Sequence, residues 1–239
     1  MEFLTQVWRR ALSGMFLLIL IVFFSAGQLD YWQGWVYIDL SLIVLLMTAW
    51  VLRGNPGLIS ERLHPGPGTK AWDKVYFALS TPLYFMAIVM AGIDVGRGHW
   101  TTRFPAGFYM VGIILFVFGQ ALFLWAKKVN FYFSSVVRIQ TDRGQTVCCE
   151  GPYQFVRHPG YLAGIVFGLA TPLILGSLWA LIPQGLAAAL LVARTALEDR
   201  TLQAELPGYQ EYCQSVPYCL IPDRKSTRLN SQSHLKGVC

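Results

Sequence analysis

The chain is 239 residues long, 54% hydrophobic and only 13% charged, with a mean hydropathy of +0.45. An ordinary soluble domain carries roughly a quarter charged residues. The length suits one domain, and the long uncharged apolar runs exclude a soluble globular protein, a disordered chain, a disulfide-stapled secreted module and a nucleic-acid binder.

Four apolar runs predict membrane spans in the first half of the chain, at about Leu12–Leu29, Trp35–Leu52 with one Asp39, Val75–Ile93 and Ala106–Ala126. Each approaches the length that a hydrocarbon core of about 30 Å requires. The linker Arg53–Lys74 is rich in Gly and Pro with mixed charge, which predicts a surface loop with a short interfacial helix. Lys127–Pro159 is too long for a minimal helix connection. It contains Asn130, a strand-like Val136–Ile139 and Gly144 before the run GPYQFVRHPGY.

The last apolar stretch, Tyr161–Ala193, has 33 residues without a charge. As a single helix it would reach about 50 Å, far beyond the hydrocarbon thickness. Gly176 and Ser177, with Pro172 and Pro183 on either side, predict a fold-back into two short tilted helices. Lys and Arg placement supports six crossings with the N-terminus inside: thirteen basic residues then fall inside, and only Arg97 and Arg103 outside. The hairpin also brings Arg157, His158, Arg194, Glu198 and Asp199 to one cytoplasmic face. The first run is long and Gln28-Leu29-Asp30 is a poor cleavage site, so no cleavable signal peptide is expected. The predicted fold is an all-α polytopic transmembrane bundle of about six crossing helices with a C-terminal helical hairpin. It divides into a four-helix region over 1–126, a site-bearing region over 127–222, and a tail over 223–239.

That tail, DRKSTRLNSQSHLKGVC, is polar and aperiodic and reads as translated non-coding or adapter sequence. Without it Lys+Arg falls from 19 to 15, Asp+Glu from 13 to 12, and the formal charge from +6 to +3. The basic balance therefore gives no argument for nucleic acid. Cys148 and Cys149 are adjacent, and Cys213 and Cys219 lack CxxC or partnering His spacing, so neither a metal site nor a disulfide framework is indicated. Asp39 is expected near the membrane interface, His64 and His99 in loops, and Asp94, Arg97 and Arg103 as ordinary charges of an outside loop.

The chemistry is expected around Gly151–Gly164, GPYQFVRHPGYLAG. Pro159 suits the first helical turn, so a helix should start there with His158 near its cap. Free backbone N–H groups, the positive helix end, Arg157 and His158 would then gather where a carboxylate or phosphate binds well. The competing reading is a helix end anchored at lipid headgroups. On the other hairpin arm Arg194 and Glu198 share a helix face, with Asp199 adjacent. They read either as an intrahelical ion pair on a solvated helix end or as the acidic wall of a pocket for a zwitterionic or cationic small molecule.

The run GPYQFVRHPGY, the acids Glu198-Asp199, then Leu202, Gly208-Tyr209, Tyr212, Val216 and Leu220-Ile221-Pro222 resemble the integral-membrane methyltransferases of the isoprenylcysteine carboxyl methyltransferase and phospholipid N-methyltransferase superfamily. The resemblance is strong over about Asn130–Pro222. In that family the RHPxYxG stretch and a Glu-Glu pair help to hold S-adenosylmethionine, which implies this cofactor role for Arg157, His158, Pro159, Tyr161, Glu198 and Asp199. The chain departs at two places: Ala163 stands where Gly is expected, with Gly164 one place later, and Asp199 replaces the second Glu.

The residue chemistry agrees with the implied cofactor. Arg157 and His158 suit its carboxylate and Glu198 or Asp199 its ammonium. Tyr153 and Tyr161 are candidates to face adenine or the sulfonium, or to form an interfacial aromatic belt. Arg194 and Glu198 are the expected catalytic positions, with Arg194 orienting an acceptor carboxylate. Asn130 either fixes a polar group of the substrate or caps a loop. The expected substrate is a lipid or lipidated small molecule, reached from the bilayer. Two alternatives stand beside this reading: a membrane NADPH-dependent reductase of the sterol type, and a non-enzymatic membrane assembly protein.

Overall fold

A computed structural model describes residues 2–221. Pro222 and the tail 223–239 lie outside the described residues. Eight α-helices follow in order: α1 Glu2–Ala26, α2 Trp32–Leu52, α3 Pro56–Leu63, α4 Ala71–Ile93, α5 Ala106–Val129, α6 Pro159–Leu175, α7 Leu181–Glu205 and α8 Tyr209–Ser215. Five of them, α1, α2, α4, α5 and α7, are long and apolar enough to cross a membrane. The shorter α6 is apolar throughout and forms a hairpin with α7, turning where the sequence predicts: Gly176 adopts φ +81 immediately after α6. The chain is a multi-pass helical membrane protein.

Small residues set the helix spacing. Gly112 and Gly119, two turns apart on α5, face α6 so closely that a Cβ on Gly119 would lie 2.9 Å from the Phe167 amide nitrogen and 3.1 Å from the Ala163 carbonyl oxygen. Opposite them Ala163 and Ala170 are fully buried. Backbones that approach this way gain dispersion contact that lipid cannot match. The same device joins α1 to the end of α4, where Gly92 and Gly96 abut Ser25 and Ala26.

At the end of the bundle holding the α6–α7 turn, the sequence expectation needs correction. Asp94 is fully buried, not an outside-loop charge. A π-helical turn over Asp94–Gly98 extends α4 and carries its carboxylate inward. There Oδ1 accepts from the Thr101 amide at 2.8 Å, and Oδ2 accepts from the Thr101 and Ser177 hydroxyls, each at 2.6 Å. Arg97 likewise acts as a clasp, donating to the Phe24 carbonyl at 2.7 Å. His99 closes the π turn in a left-handed conformation, φ 48.

The opposite end carries the polar layers. The interfacial helix in the first linker is α3, whose Asn55 side chain accepts from the Leu58 amide at 3.0 Å and so caps it. Arg138 holds α3 in place through a bidentate pair with Glu61, at 2.8 and 2.7 Å, and also binds Asp142. The strand expected at Val136–Ile139 does not form. The start of α4 takes its polar groups instead: Lys70 N donates to the Val137 carbonyl at 3.0 Å, and Val137 N donates to Asp73 Oδ2 at 2.8 Å.

Gly119→Ala should destabilise the detergent-solubilised protein by about 1–3 kcal/mol. The same change at Gly185, whose added Cβ meets nothing within 4 Å, should leave the thermal midpoint unchanged or raise it. Arg138 holds the Glu61 carboxyl below its ordinary value, so the pair's contribution should be complete above about pH 4.3 and fade as pH falls through the lowered value. Glu61→Gln should therefore flatten the acid limb of a stability–pH profile.

Candidate functional site

Arg194 lies just past the middle of α7 and is buried. Its guanidinium is pressed among the rings of Tyr76, Phe77 and Tyr161, at 4.7, 4.9 and 5.1 Å. A lone cation in that setting would be costly, and Asp73 at the start of α4 removes the cost by accepting from Arg194 Nε at 2.7 Å. The expected intrahelical partner, Glu198, is therefore not the one Arg194 uses. Its Nη2 donates to the Ser135 carbonyl at 3.1 Å, leaving the Nη1 donors uncommitted.

The adjacent acids Glu198 and Asp199 point to different surroundings. Asp199 is buried and saturated. Its two oxygens accept from Arg157 Nε at 2.8 Å and Nη2 at 3.0 Å, the Tyr209 hydroxyl at 2.9 Å and Gln203 Nε2 at 2.7 Å. His158 Nε2 stands 3.1 Å from the same carboxylate, which fixes the tautomer with its proton on Nε2. Arg157 spends further donors on the Val216 carbonyl and Cys219 Sγ, keeping one N–H on Nη1. The charges that favour its protonated state hold its pKa above the ordinary guanidinium value, while burial beside Asp199 pushes the Tyr209 hydroxyl well up.

α6 starts at Pro159 with His158 at its cap, as the sequence predicts. The free backbone N–H groups expected there are largely consumed. Arg157 N donates to the Tyr218 carbonyl at 2.8 Å and His158 N to the Cys219 carbonyl at 2.9 Å, so the segment after α8 zips onto the helix entrance. Pro159 is fully buried behind that contact.

Glu198 faces a cavity of about 480 Å³. Its carboxylate accepts from the Tyr161 hydroxyl, and the Tyr161 ring stacks on His158 with centroids 5.6 Å apart and planes 6° from parallel. Asn130, at the end of α5, both accepts from the Tyr132 amide at 2.9 Å and donates to the Tyr153 hydroxyl at 3.0 Å. It is thus a loop cap and an anchor for a cavity wall at once. Gly164 lets α6 approach α7, since a Cβ there would sit 3.1 Å from Leu191.

The cavity has two characters. Its polar part is walled by Gln140, Gln145, Thr146, Arg157, His158 and Glu198, and its apolar part by Phe77, Tyr84, Phe123, Phe167 and Leu191 from α4–α7. Of the residues singled out in the sequence, Asn130, Tyr153, Arg157, His158, Tyr161, Gly164, Arg194 and Glu198 line it, while Pro159 and Asp199 stand behind the wall. Sequence reasoning missed Asp73, Tyr209 and Gln203. The acid in the first turn of α4 was visible, but only the fold brings it beneath Arg194.

Among the lining residues Glu198 is the one acid, and no cation lies within 4 Å of it among the described residues. Arg138, Arg157 and Arg194, by contrast, each have a carboxylate partner. Glu198→Gln should therefore leave the melting temperature almost unchanged. Asp199→Asn leaves a buried guanidinium uncompensated and should cost about 3–5 kcal/mol in the same melt.

Residues 111–204 match the model of the isoprenylcysteine carboxyl methyltransferase family, bearing out the resemblance over α5–α7. The chain is also similar to the Delta(14)-sterol reductase TM7SF2 of Mus musculus, with 29% identity over 221 aligned residues covering 79% of this chain and 52% of the reductase. The chain thus spans about half the length of that curated relative. A stretch similar to that methyltransferase family thus lies within a multi-pass helical membrane protein.

Proposed function

We propose that the protein transfers a methyl group from S-adenosylmethionine to a membrane-embedded lipidic acceptor, with the carboxylate of an isoprenylcysteine-like substrate favoured and a phospholipid amine next. One observation carries this reading: among the described residues the cavity's single acid, Glu198, has no cation within 4 Å, whereas of the arginines lining the cavity Arg138, Arg157 and Arg194 are paired and Arg62 is not. A wall of that kind selects a ligand with positive charge. The donor set fits the cofactor: the Glu198 carboxylate, bonded to Tyr161 but without a cation within 4 Å among the described residues, for its ammonium, an uncommitted Arg157 N–H for its carboxylate, and the Tyr153 and Tyr161 rings for a sulfonium or adenine.

Bound S-adenosylmethionine would supply an electrophilic methyl group on a cationic sulfur. The protein's task is then alignment and exclusion of water. His158 and Asp199 hold Tyr161 and Arg157 so that their faces and donors keep fixed positions. The apolar wall takes the hydrocarbon part of the acceptor. Arg194 offers its Nη1 donors to an acceptor oxygen, and its pair with Asp73 prevents it from repelling the cationic donor. A carboxylate acceptor needs no general base, and no side chain here is assigned that role. We place the polar mouth and the N-terminus on the cytoplasmic side, in keeping with the distribution of Lys and Arg.

The similarity to a sterol reductase favours one second reading, a nicotinamide-dependent membrane reductase. Calorimetry on the detergent-purified full chain separates the two. Saturable binding of S-adenosylmethionine, weakened at least tenfold in Glu198→Gln, is expected, with no binding of either nicotinamide dinucleotide. A nicotinamide cofactor bound in its place, or a Glu198→Gln variant that binds the methyl donor as tightly as wild type, overturns the assignment.

A further inference from the structure

Arg62, which lines the cavity, and Lys127, which packs against the Phe123 ring of its wall, are two cations that the site chemistry so far leaves unused. Lys127, in the last turn of α5, is only 7% exposed, and its ammonium rests on the face of Phe123 at 4.3 Å. Arg62, in the last turn of α3, lines the cavity beside Phe133. Its Nη1 donates to the Phe133 carbonyl at 3.2 Å, and its guanidinium carbon lies 5.8 Å from that ring. Phe123 and Phe133 meet edge to face at 5.4 Å, so both cations sit over one aromatic pair. No carboxylate lies within 4 Å of either among the described residues.

Their surroundings set them apart from Arg138, Arg157 and Arg194. Arg138, Arg157 and Arg194 are each neutralised by an acid, as buried charges require. Burial lowers the Arg62 pKa from its ordinary value with no carboxylate to oppose it. Lys127 faces protein, so it does not serve as a headgroup anchor on the outer surface. Two like charges, one buried and one half-buried, with ring faces and a carbonyl as their only partners among the described residues, form a site of net positive charge. Phe133 also packs against Gly160, next to Tyr161 on α6, which puts this site beside the Glu198 end of the cavity.

We propose that Arg62 and Lys127 form the anion subsite of the lipid acceptor, taking the carboxylate or phosphodiester that flanks or constitutes its methyl-accepting group. This deepens the methyltransferase reading and rests on it for the word acceptor. Arg194, already neutral with Asp73, offers hydrogen bonds; Arg62 and Lys127 offer charge. The cavity then presents a negative wall for the methyl donor and a positive one for the acceptor, with the apolar lining between α4 and α7 left for the chain.

The test uses the full chain in phosphatidylcholine nanodiscs, titrated with three probes: an N-acetyl prenylcysteine carboxylate, its neutral methyl ester, and a short-chain phosphatidylethanolamine. Wild type should bind at least one anion-bearing probe tenfold or more tightly than the neutral ester, and the tighter of the two identifies the source of the anion. Arg62→Gln and Lys127→Met should each remove most of that preference while leaving affinity for the ester within twofold. Arg62→Lys and Lys127→Arg should keep it, which separates charge from packing. No preference in wild type, a preference intact in both neutral variants, or equal loss of all three probes overturns the proposal. S-adenosylmethionine titrated alongside keeps the two readings distinct. If the methyl donor fails to bind while the anion preference stands, the methyltransferase reading falls and the subsite remains. If NADPH binds and the neutral variants abolish it, the cations serve a nucleotide phosphate and the acceptor subsite falls.

Discussion

The polar contacts that join α6, α7 and α8 converge on the carboxylate of Asp199. Through it α7 grips Arg157 and His158 at the entrance of α6, Tyr209 at the start of α8, and its own Gln203 one turn on. Through Arg157 it also reaches the carbonyl of Val216 and the sulfur of Cys219. A charge buried with this many donors is tolerable only because they are supplied together. Removing one would leave the others without their common acceptor. The hub belongs to the wall and leaves the adjacent Glu198 to face the cavity.

Membrane placement explains why the design relies on paired charge. Water is scarce around α4 to α7, so each guanidinium near the cavity needs a local anion or an aromatic face. Asp73 and three rings serve Arg194, Asp199 serves Arg157, and Glu61 with Asp142 serves Arg138. These paired charges bring α3, α4 and the 130–148 segment together. What field remains comes from the charges without partners, and their positions on the wall determine which ligand charges are welcome.

Much of the architecture was legible in the sequence. The apolar runs located α1, α2, α4 and α5, the excess length of Tyr161–Ala193 announced the hairpin, and Gly176 marked its turn. Pro159 correctly located the start of α6. What could not be read were partners distant in the chain. Asp73 and Arg194 are separated by 121 residues, and Asp94 and Ser177 by 83. No periodicity links such positions, so Asp94 looked like a loop charge and Arg194 like a partner for Glu198. The two acids 198 and 199 read as an equivalent pair, yet successive helical residues project about 100° apart, and that difference sends one to the cavity and the other to the hub.

The α6–α7 hairpin is fastened twice, by Ser177 on Asp94 at its turn and by Arg157 and His158 on Asp199 at its open end. Mechanically it is a closed loop rather than a pair of tongs. Its arms cannot part without breaking a buried polar knot at one end or the other. The span between His158 on one arm and Glu198 on the other is consequently a fixed gauge. A ligand that enters must match a width set during folding, and the ordering has already been done before it arrives.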